Sequence, residues 1–330
     1  MAGVQGSALT VAVCNAGGLG SLPGAMLGMD GLRKELAAIS TQTTKPYNVN
    51  FFCHVPPAPD PKREVAWRAV LGPYFAELGV DPNALPAGPT RAPFNHEAAE
   101  VLAEFKPAVV SFHFGLPSED LLARVRSWGA KILSSATTVS EARWLEARGV
   151  DAIIAQGLEA GGHRGMFLSD DLHSQVGTLA LVPQIVQAVK VPVIAAGGIG
   201  DARGVAAAMA LGAAGVQVGT AYLLCPECTT SPLHRGALKT EAARLTALTN
   251  VFTGRPARAI VNRIMRELGP VHLDAPAFPL PASVITPLRT KAEALGSTDF
   301  SPLWAGQNTS GCKEISAGLL TQQLASLTAI

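Results

Sequence analysis

His113 is the one titratable side chain that the apolar runs of this sequence deliver at their C-terminal ends. Those ends read Asn50, His113, Ser135, Gln156, Gly197-Gly198 and Gly219-Thr220. An imidazole at such a position is either a packed core group or a general base acting near neutral pH on a weak carbon acid. The glycines offer different chemistry. Without side chains, their N–H groups can close on phosphate oxygens, and a following helix N-terminus adds positive partial charge. A glycine pair before a helix also serves as an ordinary tight turn, so the phosphate reading and the turn reading both stand at this point.

Other candidate groups are weaker. The loop GLEAGGHRG, Gly157 to Gly165, combines glycines with a carboxylate, His163 and Arg164; the two bases can bind an anion or stand in solvent. Asp170, Asp171 and His173 suit turn or capping roles better than a metal site. Cys225 and Cys228 form a single CxxC with no second ligand pair, so no metal is assigned. No Ser-His-Asp order, nucleophile elbow or Walker sequence is present.

The elements that must position these residues alternate. Val191 to Leu224 reads as strand, glycine turn, helix capped by Asp201, strand and second glycine turn. Upstream, strands are expected near residues 20, 49, 110, 133 and 154, separated by amphipathic helices, which with those near 194 and 217 makes seven. Continuous apolar strands between helices indicate a parallel sheet covered on its outer face. The fold class is therefore α/β, a TIM-type (β/α)8 barrel with its first strand missing and a smaller, helical C-terminal region. Residues 1–220 are expected to form the barrel, with a Pro-rich insertion at about 55–93, and 221–330 a mostly helical region over the barrel mouth. In that region Ser231 to Leu248, Arg258 to Leu268 and Ile315 to Ser326 are read as helices.

Bulk properties bound the function. With 330 residues, 48% hydrophobic and 15% charged, the chain can bury a large core. A formal net charge of +1 and no Lys/Arg block give no reason to expect nucleic acid. Five cysteines, an odd number, suit a reducing compartment. No signal peptide or membrane span is expected, and the predicted location is cytoplasmic.

Several motifs in order carry a family resemblance: NVNFF at Asn50, SFHFGLP at His113, QGLEAGGHRG, AAGGIGDARG, QVGTAYL, SPLHR and LWAGQ. Together they resemble the bacterial type of nitronate monooxygenases, formerly called 2-nitropropane dioxygenases. The resemblance implies an FMN-dependent barrel that oxidises alkyl nitronates of the propionate 3-nitronate type with O2, giving a carbonyl compound and nitrite. It implies that Asn50, Gln156 and Gly161 contact FMN, and that Gly198 with Gln217, Val218, Gly219 and Thr220 holds its phosphate end beside Gly197. His113 matches the active-site histidine. The expected partners are a small anionic nitronate and O2, with an oligomer allowed. Relatives place a strand ahead of a Pro-Met-Ala-Gly-like turn, of which Met1-Ala2-Gly3 remains, in keeping with the seven strands counted. Two other readings are an NAD(P)H-dependent FMN quinone or enoyl reductase and a non-catalytic flavin- or phosphate-binding barrel.

Overall fold

The computed structural model describes residues 1–82 and 91–327; residues 83–90 of the Pro-rich insertion lie outside the described residues. Ten strands and twelve α-helices are present among them. The strands are β1 (Gly20–Pro23), β2 (Tyr47–Phe52), β3 (Val109–His113), β4 (Lys131–Ala136), β5 (Ala152–Gln156), β6 (Gly162–His163), β7 (Val193–Ala196), β8 (Gly215–Gln217), β9 (Thr246–Thr249) and β10 (Ala257–Ile260). The helices up to the fifth strand are α1 (Ser7–Asn15), α2 (Met29–Gln42), α3 (Pro61–Leu78), α4 (His96–Phe105), α5 (Glu119–Arg126) and α6 (Val139–Glu146). The rest are α7 (Thr178–Ala188), α8 (Ala202–Ala210), α9 (Pro232–Leu238), α10 (Arg263–Glu267), α11 (Pro281–Ala294) and α12 (Ala317–Ala325).

Seven strands form one parallel sheet in the order β1-β2-β3-β4-β5-β7-β8, the winding of a (β/α)8 barrel and the count expected. Its strands alternate with helices whose apolar faces close one core, from Leu32, Leu36 and Ile39 on α2 to Leu181, Val182 and Ile185 on α7. Local chemistry sets the helix starts. Asn95, Thr138 and Asp201 accept backbone N–H bonds at the heads of α4, α6 and α8. The first helix differs: Ser7 does not cap it. Gly6 holds that position, and the Ser7 amide donates instead to Glu35 Oε2 at 2.5 Å.

The C-terminal region departs from expectation in one respect. The helix read at Ser231 to Leu248 stops at Leu238, and the one read at Arg258 to Leu268 begins only at Arg263. Between them, β9 and β10 pair antiparallel, and β10 also pairs with β6 in the loop after the fifth barrel strand. Tertiary pairing overrides the helical period here, helped by β-branched Thr246, Thr249 and Ile260. This three-stranded sheet ties the C-terminal region to the ends of the barrel strands. Helix α3 packs on α11 through Trp67, Leu71, Phe75, Val284 and Leu288, so this helix and the C-terminal region share a core. No helix among the described residues is long and apolar enough to cross a membrane.

Candidate active site

The C-terminal ends of the barrel strands open into one cavity of about 730 Å³. Asn50, His113, Gln156, Gly161, Gly197, Gly198, Gln217, Val218, Gly219 and Thr220 all line it, so residues picked from six separate loops and strand ends do meet. Gln217, at the sheet edge formed by β8, is exposed, Gln156 is buried, and the others are half-buried.

One side of the cavity is glycine backbone. Gly197 and Gly198 have φ of +121° and +71°, values that L side chains rarely adopt. A Cβ on Gly197 would stand 2.8 Å from Thr178 Oγ1, and one on Gly161 would stand 2.5 Å from the Gly306 nitrogen. The segment 303–312 lies across these turns. Gly306 N donates to Thr220 Oγ1 at 2.9 Å, Gln307 N to Glu159 O at 3.0 Å, and Asn308 Nδ2 to Gly198 O at 2.9 Å. A Cβ on Gly311 would fall 2.3 Å from Gly200 O. Behind the loop two buried arginines hold successive carbonyls: Arg164 donates to Gln156 O and Gly157 O at 2.7 and 2.6 Å, and Arg258 donates to Leu158 O at 2.9 Å. Arg164 is thus neither an anion ligand nor solvated, the two roles its loop position suggested.

The other side is built from side chains. His113 Nε2 lies 3.1 Å from His163 O, and its Nδ1 lies 3.0 Å from Ser135 Oγ. A carbonyl only accepts, so Nε2 carries the proton and Nδ1 accepts from the Ser135 hydroxyl. Burial, with help from the Arg255 and Arg164 cations, pushes the His113 pKa down to about 3, so the ring is neutral across the physiological range. Gln156 is also engaged: its Nε2 donates to His163 O at 2.9 Å and its Oε1 accepts from Gly165 N at 2.7 Å. Asn50 donates through Nδ2 to Ser111 Oγ at 2.9 Å.

His163 therefore has its carbonyl gripped by two side chains. Its ring is held at Nε2 by Thr253 Oγ1 at 2.9 Å and stands among Phe52, Phe114, Phe278 and Trp304, while Nδ1 enters none of the observed hydrogen bonds. Burial first, then Arg91 and the neighbouring His113, drive its pKa well below the ordinary value. Phe114 sits at φ +70° between rings on both sides and under Arg255, whose guanidinium stands 4.1 Å from the ring centroid. A strained non-glycine residue at this point is held by its neighbours, as strain at functional sites commonly is.

Sequence reasoning left His163 open between two roles and did not find Thr253, His54, Arg91, Arg255 or Phe278. Thr253 and Arg255 flank Gly254 in TGRPAR, which says nothing about which side chains converge, and His54, Arg91 and Phe278 lie in no motif of this kind. The CPEC turn has a structural explanation: Arg235 of the SPLHR motif donates to the carbonyls of Leu224, Cys225, Cys228 and Thr230 at 2.7–3.1 Å. Burial pushes the Cys225 thiol up to about 12, which makes it a poor nucleophile. Asp171 accepts from His173 N at 2.9 Å, the turn role expected for it.

A parallel α/β barrel with a glycine-lined cavity and a histidine at the end of one of its strands is an enzyme of the barrel class. Its family is equally definite: a family model described as nitronate monooxygenase matches residues 1–326, and the chain belongs to the nitronate monooxygenase family. A protein of Paraburkholderia phytofirmans named nitronate monooxygenase is 43% identical, with 98% of this chain and 89% of that protein covered. A protein of the same name from Pseudomonas aeruginosa is 42% identical, covering 98% and 93%. Among solved structures, nitroalkane oxidase from Streptomyces ansochromogenes superposes with a TM-score of 0.88 at 39% identity, covering 99% of this chain and 94% of that one. FabK from Thermotoga maritima gives 0.71 at 27% identity, covering 99% and 90%.

Proposed function

We propose that this chain is an FMN-dependent nitronate monooxygenase, oxidising alkyl nitronates of the propionate 3-nitronate type with O2 to a carbonyl compound and nitrite. The observation that carries the reading is one cavity with bare, left-handed glycines on one side and, on the other, His163, whose Nε2 is held by Thr253 while its Nδ1 has no hydrogen-bond partner among the described residues. FMN, when bound, supplies the electron chemistry that few ionisable side chains could provide. The cavity suits it, since 300–1,000 Å³ is the usual range for such ligands, and the turns at Gly161 and Gly197 pack so closely on Gly306 and Thr178 that their backbone faces the cavity bare.

In this reading Gly197, Gly198 and the run Gln217 to Thr220 hold the phosphate end, and Asn50, Gln156 and Gly161 border the ring. His113, taken from sequence as the base, uses both ring nitrogens within the protein, so its role is to fix the backbone of His163. His163 Nδ1 is the atom free to take or share a proton with substrate. The aromatic rings of Phe52, Phe114 and Phe278 exclude water around it. Residues 1–220 are the FMN-binding barrel, and 221–330 cover its mouth. The five free cysteines suit a cytoplasmic location.

The reductase alternative is not favoured, because the relatives at 42–43% identity are named nitronate monooxygenase while FabK stands at 27%. The test is spectroscopic. Anaerobic propionate 3-nitronate should change the flavin absorbance, with recovery and nitrite release on admitting O2. Bleaching by NADH with no response to nitronate would reassign the chain as a reductase; no flavin binding at all would leave a non-catalytic barrel.

A further inference from the structure

The aromatic side of the cavity carries positive groups that one singly charged nitronate does not answer. Arg91 lines the cavity with its guanidinium 5.6 Å from the Phe278 ring centroid, and its Nε is buried with no hydrogen-bond partner among the described residues. No ion pair among the described residues includes Arg91. Burial alone accounts for the lowering of its pKa. His54 stands edge-on to the same Phe278 ring at 4.8 Å, with Nδ1 also unpartnered.

Arg255 stands behind this lining. It stacks on Phe114 and donates to Met166 O, yet its Nε is unpartnered too. The carboxylates that reach it, Asp170 and Glu141, act at longer range, and Glu141 already accepts from Thr137, Phe167 and Leu168. A buried guanidinium without a counter-ion is costly, and an arriving anion relieves that cost. The planar fork of arginine matches a carboxylate.

Arg91 belongs with the reacting side of the cavity and not with the glycine cup. It shares Phe278 with His163 and exerts on that ring the largest charge effect of any group. The cup glycines instead neighbour Glu159, Thr178 and Asn308. We propose that Arg91, backed by His54 and Arg255, is a second anion subsite that receives a carboxylate on the substrate and so selects nitronates bearing one close to the nitronate carbon. The subsite rests on the nitronate reading for the reacting end of that substrate, and its occupancy can be measured without turnover.

Succinate is a probe of matching shape, with one planar carboxylate in place of the nitronate and the second for Arg91; butyrate lacks the second. Binding of each to the FMN-loaded enzyme is read from perturbation of the flavin absorbance. Wild type should bind succinate about 30-fold more tightly than butyrate, the effect of a charge-assisted contact to a buried group. Arg91→Met should bring that ratio below about 3, and Arg91→Lys should retain part of it. The ratio of kcat/KM for propionate 3-nitronate over propyl-1-nitronate should fall in parallel. Equal binding of succinate and butyrate by wild type would overturn the proposal without any variant, as would an unchanged ratio in Arg91→Met. If neither nitronate is oxidised while the succinate preference holds and depends on Arg91, the subsite stands and the nitronate reading fails.

Discussion

On its glycine side the cavity presents main chain, with Gly161 and Gly197 so close to neighbouring atoms that a single added carbon would collide and Gly198 in a left-handed conformation. On its aromatic side it presents Phe52 and His163, backed by His54, Phe114 and Phe278, rings that touch one another at 4.8–6.3 Å and come from distant parts of the chain. The first side is intolerant of bulk and indifferent to side-chain chemistry. The second tolerates changes of shape but depends on which atoms carry protons and charge. In the proposed function, binding and chemistry fall to different kinds of atoms.

That division can be broken by substitution. Gly161→Ala should have the largest effect, lowering FMN affinity by about 100-fold or more, because the added carbon meets backbone at 2.5–2.6 Å and not a side-chain end that can move. Flavin retained through purification is the readout; a wild-type yield would mean that segment 303–312 can shift aside. On the opposite side, His163→Asn should keep the flavin and lower kcat by about 10²–10³-fold. Thr253→Val should cost about tenfold, with Thr253→Ser restoring most of it, since the hydroxyl only orients the ring.

Behind the glycine side, Arg164→Met leaves three acceptors of a fully buried guanidinium unpaired. Denaturant unfolding should register a loss of about 3 kcal/mol. Acid sharpens the contrast from the aromatic side. His113 has a native pKa of about 3 against 6.5 unfolded, so between those values the unfolded chain binds a proton that the native one does not. Stability therefore falls as pH drops below 6.5, by about 2 kcal/mol between pH 7 and pH 5 for this ring alone. His113→Asn should flatten that part of the curve. The smallest effect belongs outside both sides: Arg124→Ala, which removes an exposed 2.8 Å ion pair to Glu100, should leave the denaturant midpoint unchanged within error.

The same division explains what could be read from the chain. Parallel strands buried on both faces, such as the fully buried Ala152–Gln156, leave continuous apolar runs that no helix imitates over so short a length. The cup was legible because its glycines are local, two or three to a turn. The strands Thr246–Thr249 and Ala257–Ile260 were not, since their register depends on Gly162–His163 nearly a hundred residues away. Arg91, Arg255 and Phe278 converge only through tertiary structure. His113 was found for its position, but its hydrogen-bonding partners, which decide what it can do, are a backbone carbonyl and a serine that no motif announces.

Segment 303–312 also sets an order of events in time. Asn308 reaches Gly198 across 110 residues of sequence and Gly306 reaches Thr220 across 86. A ribosome making this chain therefore completes the barrel strands well before the strap that crosses their glycine turns exists. During that interval the cup stands open to the solution, and a ligand can settle into it from above. Once the last segment lies down, escape requires peeling that strap and not widening the barrel. The rate of cofactor loss should then track amide exchange in residues 303–312 and be insensitive to the stability of the sheet beneath.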